Sequence, residues 1–317
     1  MKVFILLFFL IYINALEEVS FSTAMNDLEN LEKYMREYIK EKSSQSLSLT
    51  HLITCYIREG AYTGTEWSIA GGNIPEDLVK YINGKDSEKG TNAQSCKTYR
   101  EIVLPSNETI DFVHLFAVMN GIEWGKSYSD TYAHLVGWGG DTFQLLQDIQ
   151  NQQGNLEELM TIAKTYFRIK GGFGLADFVS DIDAPILLKL KNDNTYFANI
   201  IRSYYNNKEY TNRINNFISL TFPSLKSKAK FREEIFNKYN SDTLIKMLEC
   251  KNGIRNGEYN CLATKDVKPQ YIQHQKAAVY VVSDYLAENY NEDINQNEST
   301  LLKLPLILLI SIMSLIL

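Results

Sequence analysis

Ile110-Asp-Phe-Val-His-Leu-Phe-Ala-Val-Met-Asn-Gly-Ile122 is the stretch on which the rest of the chain depends. At helical spacing it is apolar on every side, and a helix without a polar face belongs in the middle of a core. The stretch therefore predicts a helical protein assembled around it. Two ionisable residues interrupt the apolar surface, Asp111 and His114. They are three positions apart, so they share a helix face and can touch. An Asp beside a His can orient the imidazole and stabilise its charged form, half of a nucleophile-activating arrangement. Asp111 also stands in the first helical turn, where a negative charge is favourable without any function. His114 is equally readable as a core histidine with one hydrogen bond.

Downstream, Gly137-Trp-Gly-Gly-Asp141 predicts a glycine-lined loop leading into a helix from Thr142 to Gln150. Glycines let backbone approach a ligand, and an indole can stack on a sugar face. Trp138, Gly139 and Gly140 are thus candidate ligand-binding residues. Asp141 is a candidate general acid or base, or else the cap of the following helix. The catalytic expectation is that Asp111, His114 and Asp141 meet in one polar pocket walled by Phe116 and Trp138. Asp181 and Asp183 are weak candidates for a divalent cation. In the bland reading Asp177 and Asp181 lie on the solvated face of a short helix, opposite Leu175, Phe178, Val179 and Ile182, and Asp183 is a cap before Pro185. Glu59 and Glu66 are further carboxyls for a glycosidase-type pair, which needs two flanking the scissile bond. His51, His134 and His274 are scattered. There is no HExxH, GxSxG, Walker loop or dinucleotide fingerprint, so no cofactor beyond a divalent cation is implied.

Outward from this centre the apolar spacing stays helical. It predicts helices over Met25 to Lys42, Leu49 to Gly60, and Pro75 to Ile82, the last stopped by Asn83-Gly84. Later ones run from Leu156 to Gly171, where Asn155 and Glu158 form a capping box, then Tyr196 to Tyr205, Tyr210 to Phe222, Lys228 to Tyr239, Asp242 to Cys250 and Tyr271 to Tyr290. Pro185 is read as the first turn of a further helix. Strand signals are few. The expectation is one all-α domain over residues 16–288, with room for a short β element near residues 62–69.

The two ends speak of targeting. Met1-Lys2, an apolar run from Val3 to Ile13 and Asn14-Ala15 have the three regions of a signal peptide, with cleavage after Ala15. Residues 289–303 form a polar spacer and residues 304–317 an apolar tail. Small residues, a spacer and a terminal apolar tail signal replacement of the tail by a glycolipid. Asn297, before Glu298 and Ser299, is the expected attachment residue, with Asn291, Asn295 and Ser299 as alternatives. This layout resembles that of GPI-anchored eukaryotic cell-surface proteins, a resemblance confined to the two ends. It implies residence on the outer face of the plasma membrane.

Four cysteines in a secreted chain predict disulfides. Cys250 and Cys261 flank a turn-rich segment and are expected to pair, leaving Cys55 with Cys96. Asn107-Glu-Thr109 and Asn297-Glu-Ser299 are N-glycosylation acceptors, the second lost if Asn297 takes the anchor. With 317 residues, 45% of them hydrophobic, there is ample material for a core, and a net charge of −6 leaves no basic footprint for nucleic acid. Two functions fit. One is a displayed helical ectodomain for recognition, adhesion or coat function, meeting the membrane through its lipid and an extracellular glycan or protein through its surface. The other is a surface-tethered hydrolase of glycan or peptidoglycan-like polymers, acting through the carboxylates and His of the central helix.

Overall fold

The computed structural model describes residues 19–42, 48–59, 74–126, 138–169, 175–192, 194–238, 254–255, 258–259 and 269–293. The signal sequence, the segment of the expected β element at 62–69, Gly137, Cys250, Cys261, the expected helix from Asp242 to Cys250, Asn295, Asn297, Ser299 and the apolar tail lie outside them. In chain order the elements are β1 (Val19–Ser20), α1 (Phe21–Glu41), α2 (Leu49–Glu59), α3 (Glu76–Lys89), β2 (Glu101–Val103), β3 (Thr109–Asp111), α4 (Phe112–Lys126), α5 (Trp138–Ile149), α6 (Leu156–Ile169), α7 (Leu175–Leu190), α8 (Phe197–Asn206), α9 (Arg213–Thr221), α10 (Phe231–Lys238), β4 (Ile254–Arg255), β5 (Glu258–Tyr259) and α11 (Pro269–Asn289). The protein is mainly α-helical with a small three-stranded sheet, the class that the spacing predicts. Its contacts divide into two compact units, Met1–Asp141 with Gly174–Tyr210, and Thr142–Phe173 with Thr211–Leu317.

In the first unit α4 packs against both α2 and α7. Phe112, Leu115, Phe116 and Met119 are fully buried, and so nearly are Val113, Val118 and Ile122. Burial on all sides is what apolar residues on every face of the helix require. Phe116 meets Phe112 and Phe197 edge-on, with ring centroids 5.1 and 5.8 Å apart. The helix starts two residues later than expected, because Thr109–Asp111 is a strand. β3 pairs antiparallel with β2, Ile102 opposite Ile110, and β2 pairs parallel with β1. Strands of two or three residues are too short to show the alternation that identifies a strand in sequence. The β2–β3 hairpin turns at the exposed Asn107, which has φ 67°, a conformation Asn tolerates better than most residues.

Two helices run past their predicted stops. Gly84 lies inside α3, which ends only at Gly90, where φ of 66° and a hydrogen bond from its N–H to Asp86 O (2.8 Å) turn the chain out. Pro185 lies inside α7 rather than at the start of a new helix, forgoing the intrahelical bond to the carbonyl of Asp181.

In the second unit α11 packs against α6 and α10. Phe167 meets Tyr285 and Phe231 meets Tyr290, at 5.5 and 5.1 Å. The predicted capping box is formed: Glu158 N donates to Asn155 Oδ1 (3.1 Å) and Asn155 N to Glu158 Oε2 (2.8 Å). Beyond α11 the buried Asn215 side chain holds the backbone of Asn291, donating to its carbonyl (2.6 Å) and accepting from its N–H (3.0 Å). Among the described residues no helix is long and apolar enough to cross a membrane.

Candidate functional site

Asp111 and His114 do touch, but not as side-chain partners. Asp111 ends β3 and its Oδ1 accepts the backbone N–H of His114 at 2.7 Å, which caps α4. The imidazole of His114 turns to α7 instead, with Nε2 3.0 Å from Asp181 Oδ1. The His114 side chain is 10% exposed and that of Asp181 fully buried. The expected Asp111–His114 side-chain pair is thus replaced by a buried His114–Asp181 pair. Asp111, the residue just before α4, has its carboxylate on the backbone N–H of the third helical residue, and the ring of that residue is left to face α7. The seam is closed by Ser180, whose hydroxyl donates to the Asp111 carbonyl (3.2 Å).

The segment read as a glycine loop is helical: Trp138, Gly139, Gly140 and Asp141 form the first turn of α5. Asp141 therefore does not cap a helix starting at Thr142. Gly139 is buried. The side chains of Trp138 and Asp141 lie outside the described set, so the expected convergence of Asp141 on His114 does too.

The reading of α7 as half-solvated is corrected as well. Asp181 and Asp183 are 1% and 0% exposed. Asp183 accepts the phenolic O–H groups of Tyr204 and Tyr205, each at 2.7 Å. Two positions apart on a helix, the two acids point to different partners, His114 on α4 and the tyrosines of α8. That arrangement turns the two carboxylates to separate partners, Asp181 through Oδ1, rather than gathering their oxygens at one point for a cation. Among the described residues no group of three or more His, Cys, Asp and Glu side chains is placed to hold a metal.

Other buried acids also serve the fold. Glu32 on α1, fully buried, caps α8 by accepting Phe197 N–H (2.6 Å) and pairs with Arg36 (2.8 Å). Burial raises its carboxyl above the ordinary range, against the lowering effect of Arg36 and of the α8 N–H groups. Asp27 is raised by burial, with an opposing hydrogen bond from Tyr99 and a raising field from Asp86. Tyr99 in turn is pushed up by burial and by Asp27. Asp86 accepts Thr91 Oγ1 (2.7 Å), Ala93 N (3.0 Å) and Gln94 N (2.9 Å).

Cys55 and Cys96 do not form the expected bridge; each stands as a thiol. Cys96 is fully buried, and its thiol is pushed well up by burial and by the carboxylates of Asp27 and Asp86. Cys55 has a different neighbour. Its Sγ lies 3.5 Å from Nε2 of His51, one turn earlier on α2, and His51 Nδ1 lies 3.5 Å from the Asn120 side-chain amide on α4. The available sequence signal was the four-residue spacing of His51 and Cys55. Asn120 joins them only through the packing of α2 on α4.

The second unit carries a groove of about 410 Å³ between the α5–α6 turn and the start of α11. Its polar lining is amide: Gln150, Asn151, Gln152, Gln153 and Gln273, beside His274 and a wall at Leu159. His274 Nε2 is fixed 2.8 Å from the Gln152 carbonyl. Among the described residues, no Asp, Glu, Lys or Arg lines the groove. Periodicity could not reveal it, since its two sides are more than a hundred positions apart.

A family model described as "YkzU uncharacterised protein" matches residues 116–293, over half of the chain. The chain belongs to the YkzU family. The protein described as "Uncharacterized protein YkzU" of Bacillus subtilis (strain 168) is 30% identical over 138 residues, 41% of this chain and 77% of the relative. No solved structure matches. The YkzU match runs from the middle of α4 to just beyond α11, so it takes in α7 with its two buried acids and the amide-lined groove. It leaves out α1 to α3, and with them His51 and Cys55.

Proposed function

We propose that this protein is a GPI-anchored cell-surface glycoprotein whose helical ectodomain recognises an extracellular ligand. The observation that carries the choice of recognition over hydrolysis is that the described candidate acids are engaged in the fold. Asp111 caps α4, Asp181 holds His114, and Asp183 holds two tyrosines. A general acid needs an accessible proton and a substrate within hydrogen-bond reach. The amide-lined groove fits binding instead. Carboxamides offer donor and acceptor side by side, which pairs with neutral hydroxyls, and the described lining, amides without Asp, Glu, Lys or Arg, favours a neutral glycan over a charged one.

Supporting the surface reading, Asn107 is exposed at the tip of the β2–β3 hairpin, where a glycan would meet no packed element. The backbone of Asn291 is held by Asn215, which favours Asn297, Asn295 or Ser299 as the lipid attachment residue. The test of recognition is binding of the purified ectodomain to an array of neutral and charged glycans. Neutral glycans should be retained, and Gln150→Ala with Gln273→Ala should abolish retention without loss of helicity. Retention of charged glycans alone, or binding that ignores both substitutions, would sink the groove as the site. Turnover of a glycan polymer that is lost in Asp181→Asn with the fold intact would restore the hydrolase reading.

A further inference from the structure

We propose that a groove on the first unit is a second ligand site, one that binds a carboxylated sugar. The groove, about 530 Å³, is lined by Asn26, Glu29, Asn30 and Lys33 of α1 and by Tyr196, the residue just before α8. That volume falls in the roughly 300–1,000 Å³ range of small-ligand sites. Positions 26, 29, 30 and 33 recur at helical spacing and share one face of α1. Met25, Leu28, Leu31 and Met35 of the same helix are fully buried, so the polar four are the side that α1 leaves outward.

Lys33 sets the charge of the ligand. A Glu four positions before a Lys is the favourable order for an ion pair along a helix, and Glu29 stands there. The pair is not made, because Arg202 of α8 takes Glu29, with Nη1 2.6 Å from Oε2. Glu37, four positions after Lys33, lies 3.8 Å from Lys85 instead. Lys33 is exposed and makes no ion pair among the described residues. Arg202 offsets the charge of Glu29, so the groove presents one uncompensated ammonium, which a carboxylate complements.

The other lining groups are held in place and each keeps an atom open. Asn26 accepts Arg202 Nη2 through Oδ1 (2.6 Å), which leaves its NH2 to donate. Asn30 donates to the Asn26 carbonyl (3.1 Å), which leaves its Oδ1 to accept. Glu29 receives Arg202 on Oε2 and keeps Oε1. The Tyr196 ring has the Arg36 guanidinium 5.2 Å from its centroid, and Arg36 is itself fixed by Glu32 (2.8 Å) and the Thr195 carbonyl (3.3 Å). Donors and acceptors fixed beside an aromatic ring match the hydroxyls and the apolar C–H face of a sugar, and their fixed positions lower the entropy cost of binding. An acidic peptide would match Lys33 alone, whereas a carboxylated sugar matches all five residues.

The experiment is calorimetric titration of the purified full-length protein with trigalacturonate and with its methyl ester, which keeps the hydroxyls and lacks the charge. Both are measured in the wild type and in the variant carrying Gln150→Ala with Gln273→Ala, so that the amide-lined groove is tested separately. The acid should bind equally in the two proteins, and on the order of tenfold more tightly than the ester in the variant, the worth of one hydrogen bond to a charged group. Lys33→Gln, at an exposed position, should erase that preference, and Lys33→Arg should keep it. Asn30→Ala should weaken acid and ester alike. Absence of acid binding, equal binding of acid and ester, a preference that survives Lys33→Gln, or loss of acid binding in the Gln150→Ala, Gln273→Ala variant overturns the proposal. So does a triglutamate peptide that binds as tightly as trigalacturonate, which makes the partner an acidic peptide.

Discussion

Asp183 is a buried acid on which two tyrosines depend. Its carboxylate is buried and accepts two phenolic protons. Asp183→Ala strands two buried hydroxyls, at roughly 1–3 kcal/mol for each group left unsatisfied, so a loss of about 3 kcal/mol is expected in urea unfolding. Asp183→Asn retains an acceptor and should lose less. If the two substitutions cost the same, the tyrosine bonds are not the reason. Asp27 gives a pH signature. Burial raises its carboxyl, so the folded state holds the proton more tightly than the unfolded chain. Its contribution to stability is full below the ordinary value of 3.8 and is lost as pH rises through the raised folded value. Glu32 shifts in the same direction. The stability of the wild type relative to Asp27→Asn should therefore fall as pH is raised from 4 toward 7. A relative stability that climbs over that range would mean that the Tyr99 bond outweighs burial.

At the scale of the element, α4 shows how one acid can be mistaken for chemistry. A carboxylate at the start of a helix is favourable through the dipole, and here it also accepts a backbone N–H. Asp111→Ala should cost about 1 kcal/mol, the usual value of a lost N-cap, and Asp111→Ser should recover most of it. His114 and Asp181 should keep their contact in both variants, readable from an unchanged His114 ring chemical shift at fixed pH. A shifted His114 ring resonance in Asp111→Ser would show that the cap and the pair are coupled. The β2–β3 hairpin next to α4 carries Asn107, and on the proposed surface role Asn107→Gln should remove one glycan with no change in helical content. Unaltered electrophoretic mass in that variant would exclude Asn107 as an acceptor.

For the whole molecule, the expectation concerns where it is held. Treatment of intact cells with phosphatidylinositol-specific phospholipase should release the protein, and peptide mapping of the released form should lack the 304–317 tail. Recovery of that tail in the mature protein would end the anchor proposal. Non-reducing peptide mapping should find Cys250 joined to Cys261, while Cys55 and Cys96 remain thiols, as each is in the folded first unit. The two units are built alike, each around helices that bury their apolar faces. The amide-lined groove belongs to the second unit, whereas the family match takes in parts of both.

The amino-acid sequence by itself determined what depends on local pattern. Apolar residues on every face from Phe112 to Ile122 made α4 a central helix, and the Asn155 and Glu158 pair marked the start of α6. Those features need only neighbours within a turn or two. Tertiary structure decided which polar groups meet. Asp181 faces His114 and not solvent because α7 packs on α4 and has no solvated side at that point. Asp183 is satisfied by tyrosines about twenty positions away, and Glu32 caps a helix 165 positions on. A buried carboxylate must find donors, but its own neighbours in the chain do not say from where they come. The same is true of Asn120 beside His51, which sequence separates by 69 positions and the packing of two helices brings together.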